Sequence, residues 1–514
     1  MNSYWYFKLF NSIKSEHEAE EFAKLELLSL FGQVEPIRNF VDKLMEEPLK
    51  EFTKEPFRIQ DIITPELPYG MIQGYYGVRS DFINASDLVK RLAYTREIFM
   101  VVESAEEPQK LLSDVFPEGT IGKNVQIFKE KGYVLFRFIT NQYFLEKSEY
   151  ISKLSRNEAE VDRNVDILFS HLFKNYYRIP ASSTLSIGKR LEDYFAIREE
   201  LSLYLNHYMH PYKGKFHPKM VRALLNYIYP EEKGTVLDNF AGSGTLLVEA
   251  GYLGLNSLGV EINPLSVLMS NVKCQSIKIP SDKLRIAIRD YIEIVKVEVL
   301  YFEKVCSGQT LLYESKLDFA KIKDEAKQAI REMRDKNIEL MSSVVEKIII
   351  AREVLRSFDD DAIREFLLLS LSGAISDVAR RTKNDFVDVL RARLKNLYLR
   401  IYLFHKLNDV LKIEVGDSQT YVADTRDIKA FERESVDGIV NSPPYSTALD
   451  YIKNDYPQLI LLKLVNSMEE LGRDMMGNSR INYDKNELIK LVRDSTKDPL
   501  KMPSSNPCTL SIAT

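Results

Sequence analysis

The chain has 514 residues, 45% of them apolar and 28% charged, with a formal net charge of −5. That length exceeds one compact core and fits about three units at roughly 100–200 residues per domain. The composition is that of a globular protein, and the acidic balance excludes a uniformly basic nucleic-acid coat while leaving local patches open.

No N-terminal stretch reads as a basic, apolar, small-residue leader, and no apolar run approaches the roughly 18 residues a membrane span needs. A cytoplasmic location without membrane contact is the expectation. Cys274, Cys306 and Cys508 lie far apart without CxxC or Cys/His spacing, so neither a disulfide framework nor a metal site is expected.

In chain order, "YWYFKLF" (4–10) is a strand candidate, followed by the helical "EHEAEEFAKLELLSLFG" ending at Gly32 as a C-cap. "YGMIQGYYGVRS" follows; "DLVKRLAYTREIFMVVES" reads as a helix feeding a strand, and "KGYVLFRFIT" as another strand. Residues 1–185 are expected to form an α+β nucleic-acid-binding region, since they hold no dense polar constellation. From Pro218 an amphipathic helix places Val221, Leu224, Leu225 and Ile228 on one side. Residues 186–274 then show strand–loop–helix character, 275–410 read as a helical insertion, and strand patterns return over 411–514. The expected class is α/β: a Rossmann-like sheet interrupted by the insertion and preceded by the α+β region.

Within the insertion, Arg380, Arg381, Lys383, Arg391, Arg393, Lys395 and Arg400 outnumber Asp377, Asp385 and Asp388. The stretch is either a basic patch or a solvated helix face.

"VLDNFAGSGTLLVEA" sets a short strand before Asp238, then Gly242 and Gly244, then a helix from about Thr245. Glycines let the backbone approach a ligand, and the helix start offers free N–H groups. The dinucleotide fingerprint needs glycine where Leu247 stands, and the phosphate loop needs a lysine the chain lacks, so both of those readings fall. The second strand ends in "GVEINP", placing Glu261 where a doubly wound sheet puts the acid for ribose hydroxyls. For the glycines alone a tight turn without ligand is the plain alternative; with Asp238 and Glu261, an adenosine-type ligand is favoured.

"DNFAGSGT" resembles the FxGxG loop of S-adenosylmethionine-dependent methyltransferases that act on exocyclic amines of nucleobases, with Phe240, Gly242 and Gly244 in register. The resemblance implies S-adenosyl-L-methionine as cofactor, its methionine end by Asp238 and the loop and its ribose on Glu261. It also implies that Asp424 in "VADTRDI" meets the adenine amino group, with Asp427 a near competitor.

An exocyclic amine is a poor nucleophile because its lone pair is delocalised into the ring, so a site that accepts hydrogen bonds from both amino hydrogens frees that pair. In "NSPPY" the Ser442 hydroxyl and Pro443 carbonyl are candidate acceptors, Pro443 and Pro444 stiffen the corner, and Tyr445 is placed to stack on a flipped base. In the resembled family, Ser before Pro-Pro goes with DNA cytosine-N4 enzymes, and Asp or Asn there with adenine-N6 and guanine-N2 enzymes. Asn441 departs from the usual Thr. Carbon-5 chemistry would need a cysteine after a proline at such a corner; Pro507-Cys508 lies in the tail instead.

A rival lies upstream. "EEFAKLELLSLFG", "LVKRLAYTREIF" and "KGKFHPKMVRALLNYI" are similar to archaeal tRNA guanosine-N2 methyltransferases that carry a THUMP RNA-binding module. A third reading is a non-catalytic or incomplete nucleic-acid-binding subunit. The resembled sheet needs further strands after the corner, and "CTLSIA" at the end is the single candidate; three alternatives follow: the chain is a fragment, a second chain completes the sheet as a partner, or earlier segments substitute for the missing strands. The nucleic acid is expected to be DNA, with tRNA as the alternative.

Overall fold

The structure, a computed structural model, describes residues 2–10, 16–53, 59, 72–81, 83–119, 123–173, 203–229, 231, 233–309, 315–380, 385–427, 431–432, 434–443, 451–465, 468 and 471.

The N-terminal elements are β1 (Ser3–Leu9), α1 (Glu16–Leu30), β2 (Glu35–Ile37), α2 (Phe40–Leu44), β3 (Gly74–Arg79), α3 (Ala85–Arg91), β4 (Thr95–Glu103), α4 (Pro108–Val115), β5 (Val125–Glu130) and β6 (Tyr133–Ile139). They build an antiparallel sheet in the order β2-β3-β1-β4-β6-β5. Its strands β1, β4 and β6 are buried at successive positions because both of their faces are covered. Trp5 and Phe7 enter one core with Ala23 and Leu27 of α1, while Tyr6 enters another with Phe40 and Leu44 of α2. Gly32 ends α1 in a left-handed conformation (φ 106°) and donates its N–H to the Leu27 carbonyl. β5, which the sequence pattern did not mark, pairs with the expected strand β6 in a hairpin that turns on Lys131 and Gly132, both at positive φ.

Two helices follow, α5 (Asn141–Leu154) and α6 (Glu158–Phe173), and then α7 (Pro218–Ile228). α7 joins the N-terminal sheet to the rest through buried polar bonds. Asn226 donates to Glu26 (3.1 Å) and to the Arg91 carbonyl (3.0 Å), and Arg91 donates to the Tyr229 and Glu231 carbonyls at 2.8 Å each. Val221, Leu224 and Leu225 are buried as the periodicity required.

The C-terminal elements are β7 (Thr235–Asp238), α8 (Thr245–Tyr252), β8 (Asn256–Glu261), α9 (Pro264–Gln275), α10 (Ser281–Cys306), α11 (Phe319–Arg334), α12 (Ser342–Val354), α13 (Asp361–Arg380), α14 (Phe386–Leu411), β9 (Ser418–Val422), β10 (Gly438–Ile439) and α15 (Tyr451–Leu461). Their strands form a parallel sheet, ordered β10-β7-β8-β9 among the described residues. All four carboxyl ends therefore lie along one edge, where ligands of open parallel sheets bind. The segment "CTLSIA" and Cys508 lie outside the described residues.

The helices between β8 and β9 share one apolar cluster with α8: Met269 of α9, Ile348, Leu367 and Leu397 belong to it together with Leu246 of α8. α14 also grips α5 and α6, through Arg400 to Glu149 (2.6 Å) and Tyr402 to Asp162 (3.0 Å). Two basic residues of that stretch, Arg393 and Arg400, therefore belong neither to a free patch nor to a solvated face, whereas Lys395 is exposed. Arg393 turns inward to Asp377 and the Met209 carbonyl, Arg400 is consumed by Glu149, and Arg391 pairs with Asp388. Arg381 and Lys383 lie outside the described residues. Among the described residues no helix is long and apolar enough to cross a membrane.

Candidate functional site

β7 ends at Asp238, whose carboxylate is 3% exposed and accepts the Phe240 N–H at 3.0 Å. The loop then turns through Gly242 (φ 50°) and Gly244 (φ 78°), the latter capping α8. A side chain at 244 would place its Cβ 2.3 Å from the Ser270 hydroxyl on α9, so both conformation and space demand glycine. Below the loop, the fully buried Lys273 donates to the Ser243 carbonyl at 2.6 Å. Burial, reinforced by the charge of Lys215, pushes its ammonium well below the ordinary lysine range.

Glu261 closes the turn from β8. Its Oε2 accepts the Gly242 N–H and its Oε1 the Asn263 N–H, each at 2.9 Å. Burial raises its pKa against the pull of these amides. Burial, together with the Glu261 charge and against the Phe240 amide, raises Asp238 to about 7. Two neighbouring carboxylates held out of water in this way favour a cationic or hydroxyl-bearing guest. The Asn263 side chain caps α9 through the Leu265 N–H and donates to Asp455 of α15 at 3.0 Å.

Asp424 follows β9 and is held below the usual carboxylate range by its hydrogen bonds to Arg426. The Asp427 side chain lies outside the described residues. β10 leads into Asn441, Ser442 and Pro443, after the Val440 N–H makes its bond to the Leu237 carbonyl (3.1 Å). Pro444 and Tyr445 lie outside the described residues.

One cleft joins these pieces. Asp238, Phe240, Gly242, Glu261, Asp424, Ser442 and Pro443 all line it, and Gly244 lies at its loop without lining it. Tyr212, Gly214, Lys215 and Phe216, just before α7, form another wall. Asn239, Asn263 and Thr425 were missed as lining residues. An Asn-Pro pair at a strand end, as at 263–264, is an N-cap signal that could have found Asn263. His207 and His210, just before those wall residues, are buried, whereas His217 is half-buried. His207 shares the buried Glu249 carboxylate of α8 with Tyr204 and Arg222, each bond at 2.7 Å, and His210 bonds the Ser372 hydroxyl.

The sequence pattern of the DNA methylase family matches residues 86–271, under half of the chain, from α3 through the glycine loop into α9. The type II methyltransferase M.MjaII of Methanocaldococcus jannaschii is 42% identical over 69 residues, 13% of either chain. The chain is similar to nucleobase amino-methyltransferases. The tRNA (guanine(10)-N2)-dimethyltransferase of the same organism is 27% identical over 260 residues, 49% of this chain and 66% of its own length. The type II methyltransferase M.MvaI of Kocuria varians is 27% identical over 263 residues, 47% of this chain and 53% of its own. The chain thus spans between 13% and 66% of these relatives.

Proposed function

We propose that the chain is an S-adenosylmethionine-dependent methyltransferase acting on an exocyclic amine of a nucleobase, with cytosine N4 in DNA as the target. The observation that carries this is the shared cleft: the Asp238–Gly244 loop, Glu261 and Asp424 stand on the same sheet edge as Ser442 and Pro443.

The residues fit the cofactor. A Cβ on Gly242 would lie 3.2 Å from the Tyr212 hydroxyl, so the glycine keeps room along the loop. Asp238 is a buried carboxyl whose pKa burial raises to about 7, and a cationic methionine end beside it would favour its ionised form. Each Glu261 oxygen accepts one amide and keeps a second lone pair for a ribose hydroxyl. Bound S-adenosylmethionine supplies an electrophilic methyl group. The chain's part is to hold the base: the Ser442 hydroxyl and Pro443 carbonyl accept the two amino hydrogens, which localises the nitrogen lone pair. Tyr445 stacks on the base, which is taken out of its helix, and the proton lost from the methylated nitrogen passes to solvent water, with the Ser442 hydroxyl as the relay. On this reading the sheet is Rossmann-like, residues 1–185 bind nucleic acid, 186–274 and 411–514 form the methyltransferase domain, and 275–410 are its insertion.

A second reading, methylation of guanosine N2 in tRNA, is favoured by the tRNA dimethyltransferase relative, which aligns over a larger share of its own length than M.MvaI does. Transfer of labelled methyl to duplex DNA and to tRNA separates the two. Label on DNA alone supports the first reading, and label on tRNA alone the second. Cofactor binding without transfer to either favours a subunit that needs a second chain to complete its sheet.

A further inference from the structure

We infer that Asn239 and Asn441 form a positioning tie that fixes the Ser442–Pro443 corner to the cofactor loop. The inference rests on the methyltransferase reading for its consequence and on geometry for its existence. Beyond β10 the backbone ladder ends at the bond from the Val440 N–H to Leu237, and beyond β9 at the bond from the Ala423 N–H to the Glu261 carbonyl (3.1 Å). Side chains take over where the ladder stops. The Asn441 amide donates to Asn239 Oδ1 at 2.7 Å, and the Asn239 amide donates to the Thr425 hydroxyl at 3.0 Å.

Asn239 is therefore a hub, using one donor and its acceptor in opposite directions and so fixing the plane of its amide. It sits between Asp238 and Phe240, in the loop that lines the cleft, and Thr425 follows Asp424. Asn441 precedes Ser442. The bonds span the ends of β7, β9 and β10, passing over the end of β8, and register the candidate acceptors against the loop rather than against their own two-residue strand. None of these three side chains needs to touch substrate. Their effect is on where Ser442 and the Pro443 carbonyl stand, and displacements of about 1 Å near a reacting centre change rates by up to about 100-fold.

The test compares full-length protein with Asn239→Ala, Asn441→Ala, the double variant and Asn239→Asp. Without any ligand, hydrogen exchange of the amides at 438–442 should accelerate about fivefold in either alanine variant, the factor one neutral hydrogen bond is worth. Asn239→Asp, which keeps an acceptor for Asn441, should restore most of the protection. In turnover, Asn441→Ala should lower kcat about tenfold with the dissociation constant of S-adenosylmethionine within about twofold. The double variant should be no worse than the poorer single one. Unchanged exchange at 438–442 in both alanine variants, or losses of kcat that multiply in the double variant, would overturn the tie. Altered exchange with no methyl transfer by the parent protein would leave the tie standing and remove the methyltransferase reading.

Discussion

Replacing Asp238 by asparagine should stabilise the cofactor-free protein near neutral pH while weakening its hold on a cationic ligand. The Asp238 carboxyl is raised from 3.8 to about 7 by burial and the nearby Glu261 charge, against the Phe240 amide. A raised folded-state pKa means that the folded protein binds the extra proton between pH ~4 and ~7, so this group's contribution to stability falls as pH rises through that window. Above pH 7 the cost reaches about 4 kcal/mol, and about 2.5 kcal/mol of it separates pH 5 from pH 8. Asparagine keeps an acceptor for the Phe240 N–H and carries no charge, so denaturant titrations should show its advantage growing by that amount between pH 5 and pH 8. Calorimetry should show the converse for S-adenosylmethionine. In the parent, affinity should fall nearly tenfold per unit below pH ~7, because the carboxylate must ionise to pair with the cation. In the variant, affinity should be lower and nearly flat with pH. A stability difference that does not change between pH 5 and pH 8 would refute the burial argument, and unaltered cofactor affinity would refute the role of Asp238 as counter-ion.

Ser442→Ala should lower kcat by about 10- to 100-fold with little change in cofactor affinity, read by steady-state kinetics beside calorimetry; unchanged turnover would remove the hydroxyl as an acceptor. Glu261→Gln should weaken cofactor binding by about tenfold, since the amide can serve the Gly242 and Asn263 N–H groups with one oxygen only. Gly244→Ala should cost about 3 kcal/mol in denaturant unfolding, from its positive φ and the clash with Ser270. Adding Ser270→Gly should recover only part of that loss, because the Ser270 Cα itself lies 2.8 Å from the new Cβ.

The features of the site that were legible in sequence are local ones. A strand, two glycines and a helix start write the glycine loop into one stretch, and Glu261 follows Gly242 by 19 residues. A proline turn after a strand is common, and what the structure adds is that Ser442 and Pro443 line the same cleft as the glycine loop and Glu261. The tie between Asn239 and Asn441 was not legible, because its partners are 202 residues apart and each alone reads as a turn asparagine. The wall built by Tyr212 and Phe216 was equally hidden, since nothing in "HPYKGKFHP" says which way its rings face. Charge alone left a patch and a solvated face open over 377–400, and it could not show that α5 and α13 bring Glu149 and Asp377 against Arg400 and Arg393. The N-terminal strands were read where they are long and aromatic, as in β1 and β4, and passed over where they are short or half-exposed, as in β2 and β5.

The most direct measurement is the identity of the methylated nucleoside. After incubation of the purified chain with methyl-labelled S-adenosylmethionine and duplex DNA, digestion and mass spectrometry should recover the label as N4-methylcytosine. Recovery on a ring carbon, as 5-methylcytosine, or no transfer to any exocyclic amine of DNA or tRNA by protein that binds the cofactor, would contradict the account.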